Sequence, residues 1–183
     1  MRKLSFAAAL LLAGPAFATG LEIDVEGEAN GIVTIDLFED VAPQHVERIT
    51  ALAEQGAYDG VVFHRVIDGF MAQTGDVQYG REGANLARAG TGGSDMGNVP
   101  AEFSDRSFGR GVVGMARSRD PDSANSQFFI MFEPAPHLDG QYTVVGEVTD
   151  GMDVVDAIKR GSSAANGSVA EAPDVMRRVR VVE

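Results

Sequence analysis

Short segments of alternating apolar and polar residues, separated by turn-forming residues, recur along most of the chain. The clearest pair covers 21–25 and 31–38, with Asn30-Gly31 between them. Because successive side chains of a strand point to opposite faces, this alternation predicts half-buried strands, and Asn-Gly favours a tight type I′ hairpin turn. The same pattern predicts further strands at 61–66, 70–74, 111–116, 127–132, 143–148 and 176–182. We therefore expect a mainly β fold.

Two segments have a helical period instead. Pro43 can open a helix, whose apolar stripe ends by Gly56. A second helix is predicted over 152–160, with acidic residues early and basic residues late. The glycine-rich segment 75–100 is predicted to be a long surface loop, either functional or disordered. Many strands with two helices indicate a β-rich domain, and closure into a barrel is the simplest way to remove the edges of its sheet.

The first residues have the composition of a secretory leader. Two basic residues precede an apolar run over 4–13, and a small-x-small cleavage site ends at Ala18. The run is too short to span a bilayer, and the alternative is a frayed first helix of the domain. We predict a signal peptide over 1–18, a single domain over 19–183, and a periplasmic or secreted location.

The charge balance argues against anionic partners. The chain has a formal net charge of −12, so phosphate backbones and acidic lipid surfaces repel it. We expect no nucleic-acid partner and no membrane association. The chain contains no cysteine, which excludes disulfides, thiolate nucleophiles and cysteine-metal sites.

The histidines and two short motifs have simple structural interpretations. His45, His64 and His137 lack metal-ligand spacing, so no metal site is predicted. His45 is expected on a solvent-exposed face of the first helix, and His64 on the side of its strand opposite Arg65. The G-x-G-x-x-G pattern at 109–114 lacks the following helix that a dinucleotide site needs, and it indicates a turn into a strand. The glycosylation pattern that begins at Asn166 is interpreted as a chance feature of a loop.

One combination of residues places a cation beside an apolar slot. Arg65 precedes Met71 and Gln73, which share a face if their segment is extended. Gln127 and Phe129 repeat that amide and apolar pairing on another predicted strand. Two such strands predict a peptide groove with a pocket. A cation there suits a reaction in which a proline occupies the pocket and the cation acts on its amide.

These residues resemble the cyclophilin family of peptidyl-prolyl cis-trans isomerases. The resemblance extends from about Gly31 to Ile158, and its most specific motifs are Phe63-His64-Arg65, Gly69-Phe70-Met71-Ala72-Gln73, Ser123-Ala124-Asn125-Ser126-Gln127-Phe128-Phe129-Ile130 and Leu138-Asp139-Gly140. It implies an eight-stranded antiparallel β-barrel closed by two α-helices. It also implies an enzyme that accelerates rotation about X-Pro bonds and so assists protein folding, without a covalent intermediate or a cofactor.

The resemblance implies a role for each matching residue. Arg65 is the catalytic cation, and Gln73 acts beside it. Gln73 also holds the peptide backbone together with Gln127, and the main chain of Arg117 pairs with the substrate. The implied substrate-binding residues are Phe70, Met71, Arg117, Gln127, Phe129, His137, Leu138 and Tyr142.

Three of these positions depart from the common family pattern. Arg117 stands where many relatives have asparagine, and Tyr142 replaces a common histidine. His137 occupies the position that is tryptophan in cyclosporin-sensitive members, so weak cyclosporin binding is expected. The implied partners are proline-containing peptides and unfolded or folding proteins, bound by a monomer.

Two other functions remain open at the level of sequence. A proline-binding chaperone would bind peptides without accelerating isomerisation, although Arg65 and Gln73 argue against it. A secreted hydrolase would need a serine, a histidine and an acid in contact, and the chain has no Gly-x-Ser-x-Gly motif.

Overall fold

The computed structural model describes residues 19–183, so the predicted signal peptide lies outside the described residues. Nine strands form one antiparallel sheet, accompanied by two α-helices. The strands are β1 (Gly20–Glu26), β2 (Gly31–Leu37), β3 (Val61–Val62), β4 (Arg65–Ile67), β5 (Met71–Thr74), β6 (Val112–Met115), β7 (Phe128–Met131), β8 (Val144–Asp150) and β9 (Val175–Val182), and the helices are α1 (Pro43–Glu54) and α2 (Met152–Ala157). The predicted mainly β class with two helices is confirmed. No helix within this described part is long and apolar enough to cross a membrane.

The sheet has nine strands instead of eight because one predicted strand is split. The strand order is β3-β9-β1-β2-β8-β6-β7-β5-β4, so β3 and β4 are the two edges. Only Phe63 and His64 separate them in sequence, and the chain crosses from one edge to the other within the predicted strand 61–66. Main-chain bonds hold the crossing, since Phe63 N donates to Asp174 O at 2.9 Å and Val169 N donates to His64 O at 3.0 Å.

The core lies on the face of the sheet that the alternating pattern predicts. Leu21, Ile23 and Val25 of β1 are each at most 1% exposed, and burial of each such side chain contributes about 1.5–3 kcal/mol. Helix α1 packs against β9 and α2 packs against β2. The sheet has two free edges and is not the closed barrel that was expected, and its other end, formed by β6, β7, β5 and β4, carries the site.

The connection between β1 and β2 is wider than predicted. The two strands pair antiparallel as expected, but residues 27–30 connect them. Asn30 lacks the positive φ that a type I′ turn requires. The buried carboxylate of Asp174 explains the difference, because its Oδ1 accepts the backbone N–H of Ala29 at 2.7 Å and fixes the wider loop.

Helix α2 ends earlier than its charge pattern predicts. The helix stops at Ala157 rather than Arg160. Oδ2 of Asp174 accepts the backbone N–H of Lys159 at 2.6 Å. That N–H is therefore used outside the helix, and the predicted last turn does not form.

His45 is buried, so the prediction of a solvent-exposed position is wrong. Its side chain is 0% exposed, and its Nδ1 lies 2.6 Å from Oε2 of Glu102, 57 residues away. The Glu102 carboxylate also accepts the backbone N–H groups of Gln44 and His45, at 3.2 and 3.1 Å. His45 lies one turn before Ile49 on the apolar stripe of α1. A polar residue can occupy this stripe because a distant carboxylate supplies its partner.

Two buried histidines should make the fold sensitive to acid. Burial lowers the pKa of His45 in spite of Glu102, and that of His64 in spite of Asp76. The unfolded chain takes up protons near its ordinary histidine pKa while the folded chain does not, so the free energy of unfolding falls as the pH drops below that value. We expect each histidine to lower the free energy of unfolding by at most about 1 kcal/mol between about pH 7.5 and about pH 5.5.

Urea unfolding at the two pH values measures this loss. His64→Gln should reduce the pH dependence, because it removes one of the two buried imidazoles. A free energy of unfolding that stays constant or rises on acidification would contradict the prediction.

Candidate functional site

The predicted cation and its neighbours lie on one row that crosses four strands. The antiparallel register places Arg65 of β4 opposite Gln73 of β5, Gln73 opposite Phe129 of β7, and Phe129 opposite Gly114 of β6. Directly opposed residues share a face of the sheet and have neighbouring side chains. The sheet thus brings together residues that are far apart in sequence.

A cavity of about 170 Å³ opens over this row. It is lined by Arg65, Phe70, Met71, Gln73, Ala116, Arg117, Phe129, Leu138 and Tyr142. Eight of the ten residues singled out from the sequence line this cavity, which we call the proline pocket. Gln127 lines the neighbouring pocket instead. His137 lines neither pocket, and Ala116 is an additional lining residue that the sequence did not single out.

The floor of the proline pocket is a packed aromatic cluster. Phe129 stacks on Phe108 with ring centroids 5.8 Å apart and meets Tyr142 edge-on at 5.8 Å. Gly114 makes room for this arrangement, because a Cβ atom there would lie 2.6 Å from the rings of both phenylalanines. Met71, only 2% exposed, completes the floor. The floor therefore offers an apolar surface on which a ring of substrate can pack.

The Arg65 guanidinium is fixed by neutral partners. Its Nη1 donates to Oε1 of Gln73 at 3.1 Å, and its Nε and Nη2 donate to the main-chain oxygen and Oδ1 of Asn166, both at 3.1 Å. Three of its five N–H groups are therefore used for positioning. Partial burial lowers the pKa of Arg65, but an arginine starts so high that it stays charged at neutral pH.

Gln73 and Gln127 form a chain of amides behind this cation. Gln73 Nε2 donates to Oε1 of Gln127 at 2.9 Å, and Gln127 Nε2 donates to the carbonyl oxygen of Gly92 at 2.8 Å. The amide oxygen of Gln73 is thereby turned toward Arg65. The two glutamines predicted from their strands are in direct contact.

Asn166 is a site residue that the sequence did not reveal. It follows the short 3₁₀ helix Ser163–Ala165 and has a left-handed φ of 53°, a conformation in which asparagine is enriched among non-glycine residues. The glycosylation pattern that begins at this residue gives no indication of a role in the site. The Asn-Gly dipeptide signals a turn, but nothing local indicates that this turn reaches Arg65 across the fold.

The segment 75–100 is an ordered loop. Asp76, 0% exposed, accepts four backbone N–H groups. Its Oδ1 bonds Gln78 and Tyr79 at 3.1 and 2.8 Å, and its Oδ2 bonds Gly90 and Gly92 at 2.7 and 2.9 Å. One buried carboxylate therefore folds the loop back on itself and holds Gly92 against Gln127.

This loop forms one wall of a second pocket, of about 240 Å³, which adjoins the proline pocket. The two pockets share Gln73, Ala116 and Arg117. The remaining lining of the second pocket is Gly90, Thr91, Gly92, Ser118, Ser123, Asn125, Ser126 and Gln127. We call the two pockets together the groove.

The proline pocket offers charge and shape, and the described residues that line it supply no serine, threonine or cysteine nucleophile. Among residues 19–183, none that lines the proline pocket is a serine, threonine, histidine or carboxylate. In the same described part of the chain, no cluster of three or more histidine and carboxylate side chains could hold a metal ion. The arrangement can bind an apolar ring, hydrogen-bond a peptide and present a fixed cation to it.

Comparison with known proteins accounts for this geometry. The family model described as "Cyclophilin type peptidyl-prolyl cis-trans isomerase/CLD" matches residues 21–181. The chain belongs to this family. A probable peptidyl-prolyl cis-trans isomerase of Brucella suis is 57% identical over 150 residues, which cover 81% of this chain and 76% of the relative. A peptidyl-prolyl cis-trans isomerase-like 1 protein of Aspergillus oryzae is 36% identical and covers 84% of this chain and 91% of its own.

Solved cyclophilin structures share the fold. A cyclophilin from Hirschia baltica superposes with a TM-score of 0.70 at 26% identity, over 87% of this chain and 72% of its own. A cyclophilin type isomerase from Cryptosporidium parvum, solved in the presence of the dipeptide Ala-Pro, has a TM-score of 0.75 at 23% identity, over 90% and 99% of the two chains. The family model and the curated relatives together identify the chain as a cyclophilin-type peptidyl-prolyl cis-trans isomerase.

Proposed function

We propose that this cyclophilin accelerates rotation about X-Pro bonds by directing the Arg65 guanidinium at the proline nitrogen, with the proline ring held in the proline pocket. The observation that carries the proposal is the fixed position of this cation, between Gln73 and Asn166 and above an apolar floor. Gln73 has a positioning role as well as a contact with substrate.

The chemistry follows from the amide bond. Resonance stiffens the bond, with a barrier of about 18–20 kcal/mol, and uncatalysed exchange of an X-Pro bond takes tens of seconds or longer. At the twisted transition state the proline nitrogen becomes pyramidal and gains a lone pair. A guanidinium that donates to this lone pair stabilises the twisted state more than either planar state, which is the condition for catalysis. A barrier lowered by about 7 kcal/mol gives an acceleration of about 10⁵.

The remaining groups hold one end of the substrate while the other rotates. The proline ring packs on Phe129 and Met71, and burial of an apolar side chain of this size is worth about 1.5–3 kcal/mol. Gln127 and the main chain of Arg117 bind the peptide backbone on the side of the second pocket. No bond is made or broken, so the mechanism requires no nucleophile and no cofactor.

Exchange measurements on an Ala-Pro tetrapeptide test the function. Two-dimensional NMR exchange spectra should show faster cis-trans interconversion with catalytic amounts of the protein than without it. Saturable peptide binding with an unchanged interconversion rate would instead favour a proline-binding chaperone. Appearance of cleaved peptide would favour a hydrolase.

The proposal extends to where the enzyme works. The basic start, apolar run and small-residue cleavage site of residues 1–18 support export to the periplasm or the medium. There the enzyme would act as a monomer on folding proteins that contain proline. Recovery of the protein from the periplasmic fraction with Thr19 as its first residue would support this location, and recovery of the uncleaved chain from the cytoplasm would exclude it.

Cyclosporin should inhibit this enzyme weakly. His137 is exposed and stacks on Phe70 with ring centroids 5.8 Å apart. Its imidazole has a smaller ring area than an indole and lacks the indole N–H donor. His137→Trp should tighten inhibition roughly tenfold, since the added ring area and one hydrogen bond together are worth about 1.4 kcal/mol. Inhibition curves of the two proteins measure the effect, and nanomolar inhibition of the unmodified protein would contradict the prediction.

Loss of the Asn166 side chain should slow catalysis modestly. Asn166→Gly removes Oδ1 but keeps the main-chain oxygen that accepts from Arg65, and glycine adopts the left-handed φ freely. We expect kcat/KM for the tetrapeptide to fall about threefold, the cost of loosening one hydrogen bond. Ser163→Gly, in the preceding turn of the same loop, is the control. An equal fall in kcat/KM in that variant would show that loop mobility, and not the lost side chain of Asn166, causes the effect.

A further inference from the structure

We propose that Arg117 makes the groove selective for peptides that carry an acidic side chain within two residues of the proline. The inference deepens the proposed function and rests on it. It assigns to the Arg117 side chain a role separate from the backbone contact of the same residue.

The groove has the opposite charge to the rest of the protein. The chain contains 27 acidic and 15 basic residues. Yet the residues between 19 and 183 that line the groove include two arginines, Arg65 and Arg117, and no carboxylate. Neither guanidinium belongs to an ion pair with a carboxylate of the described chain. A peptide bound here therefore meets two positive charges that no acid of the groove neutralises.

Neutral groups hold the Arg117 guanidinium in place. Its Nε and Nη2 donate to the carbonyl oxygen of Gln141 at 3.1 and 2.8 Å, and its Nη1 donates to the carbonyl oxygen of Ser118 at 2.9 Å. The group also lies over the ring of Tyr142, 4.3 Å from its centroid. Carbonyl groups and a ring orient the cation without cancelling its charge, and two of its N–H groups stay available to a ligand.

The position of Arg117 places it beside the substrate. It lines both pockets, so an extended peptide that leaves the proline pocket through the second pocket passes it. An extended chain advances about 3.3 Å per residue, which brings the first two residues next to the proline within reach. The nearest acids in sequence are turned to other partners, since Asp120 Oδ1 accepts from Asp122 N and Asp122 Oδ1 accepts from Ala101 N.

Local charge decides the preference once the peptide is bound. The overall negative charge repels an acidic peptide at long range, but salt screens that field over about 8 Å at physiological ionic strength. Contact in a partly desolvated groove is screened less, and a carboxylate can accept a charge-assisted hydrogen bond from the guanidinium. A peptide with glutamate near the proline should therefore interact more favourably with the groove than the same peptide with glutamine, and a peptide with lysine should interact less favourably.

Peptide series that differ at one position test the inference. Glu, Gln or Lys is placed one or two residues before or after the proline, and kcat/KM for isomerisation is measured. At the position that faces Arg117 we expect Glu to exceed Lys at least about fivefold, with Gln between them. Arg117→Gln should reduce this ratio to below about twofold, and Arg117→Lys should keep most of it, because lysine retains the charge.

Arg119→Gln is the matched control. Arg119 is exposed and lines neither pocket, so its removal should leave the Glu to Lys ratio unchanged. Equal kcat/KM for the three peptides at all four positions overturns the inference, and so does a ratio that persists in Arg117→Gln. If the protein still accelerates isomerisation of the Gln peptide in those cases, the proposed function stands. If it accelerates none of the peptides, both the proposed function and the inference about Arg117 fail.

Discussion

Replacing Arg65 with alanine should lower kcat/KM for an Ala-Pro tetrapeptide at least about tenfold. The strand register sets this guanidinium beside Gln73, and both residues line the proline pocket. Its removal takes away the hydrogen bond proposed to form at the pyramidal proline nitrogen. A hydrogen bond from a charged group contributes about 1.5–3 kcal/mol. NMR exchange or a protease-coupled assay measures the rate.

The loss should appear in kcat rather than in peptide binding. The bond to the nitrogen lone pair forms only in the twisted state, so its loss lowers kcat and kcat/KM together while the peptide dissociation constant changes little. Titration of the peptide by NMR separates the two quantities. A tenfold weaker peptide complex with an unchanged kcat would show that Arg65 binds the planar substrate instead.

Arg65→Lys is the matched control for charge. Lysine keeps the positive charge but has no planar fork, so it cannot bond Gln73 and both acceptors of Asn166 at once. We expect its activity to lie between those of the native protein and Arg65→Ala. An unchanged exchange rate in a folded Arg65→Ala protein would remove the proposed mechanism.

The parts of the fold that could be predicted are those that local pattern determines. Alternation within β1 and β2 depends only on side-chain direction, so their existence and pairing were predictable. The same period placed Met71 with Gln73 on one face, and the structure has both in the proline pocket. The resemblance to cyclophilins supplied what alternation could not, namely that Arg65 lies alongside Gln73.

The parts that could not be predicted depend on single polar side chains that act over long sequence distances. Asp174 widens the β1–β2 connection and ends α2, and Glu102 lets His45 be buried. Asn166 reaches Arg65 across 101 residues. In each case the hydrogen bond is made to a backbone or side-chain group that the sequence pattern predicts to be exposed to solvent or already bonded within a helix or turn. No local pattern distinguishes such a residue from an ordinary loop residue.

The second large effect is expected at Asp76, away from the reacting atoms. Its carboxylate accepts four backbone N–H groups from two separate parts of the loop 75–100 and is fully buried. Asp76→Ala leaves these donors without a partner in a site closed to water. Since hydrogen bonds to charged groups contribute about 1.5–3 kcal/mol each and are not additive, we expect the free energy of unfolding to fall by about 3–5 kcal/mol.

The loop should also detach from the groove in this variant. Gly90 and Gly92 lose their acceptor, and the carbonyl oxygen of Gly92 is the acceptor for Gln127. Amide hydrogen exchange at the two glycines should become faster by more than the global loss of stability explains. KM for the tetrapeptide should rise because one wall of the second pocket is no longer held in place.

Two variants separate the carboxylate of Asp76 from the loop in general. Asp95→Ala, at an exposed position of the same loop, should change the free energy of unfolding by less than about 0.5 kcal/mol. Asp76→Asn keeps one acceptor oxygen and turns a donor toward the other pair of N–H groups, so its stability should lie between those of the native protein and Asp76→Ala. If exchange at Gly90 and Gly92 in Asp76→Ala stays as slow as in the native protein, other contacts hold the loop, and the groove does not depend on this carboxylate.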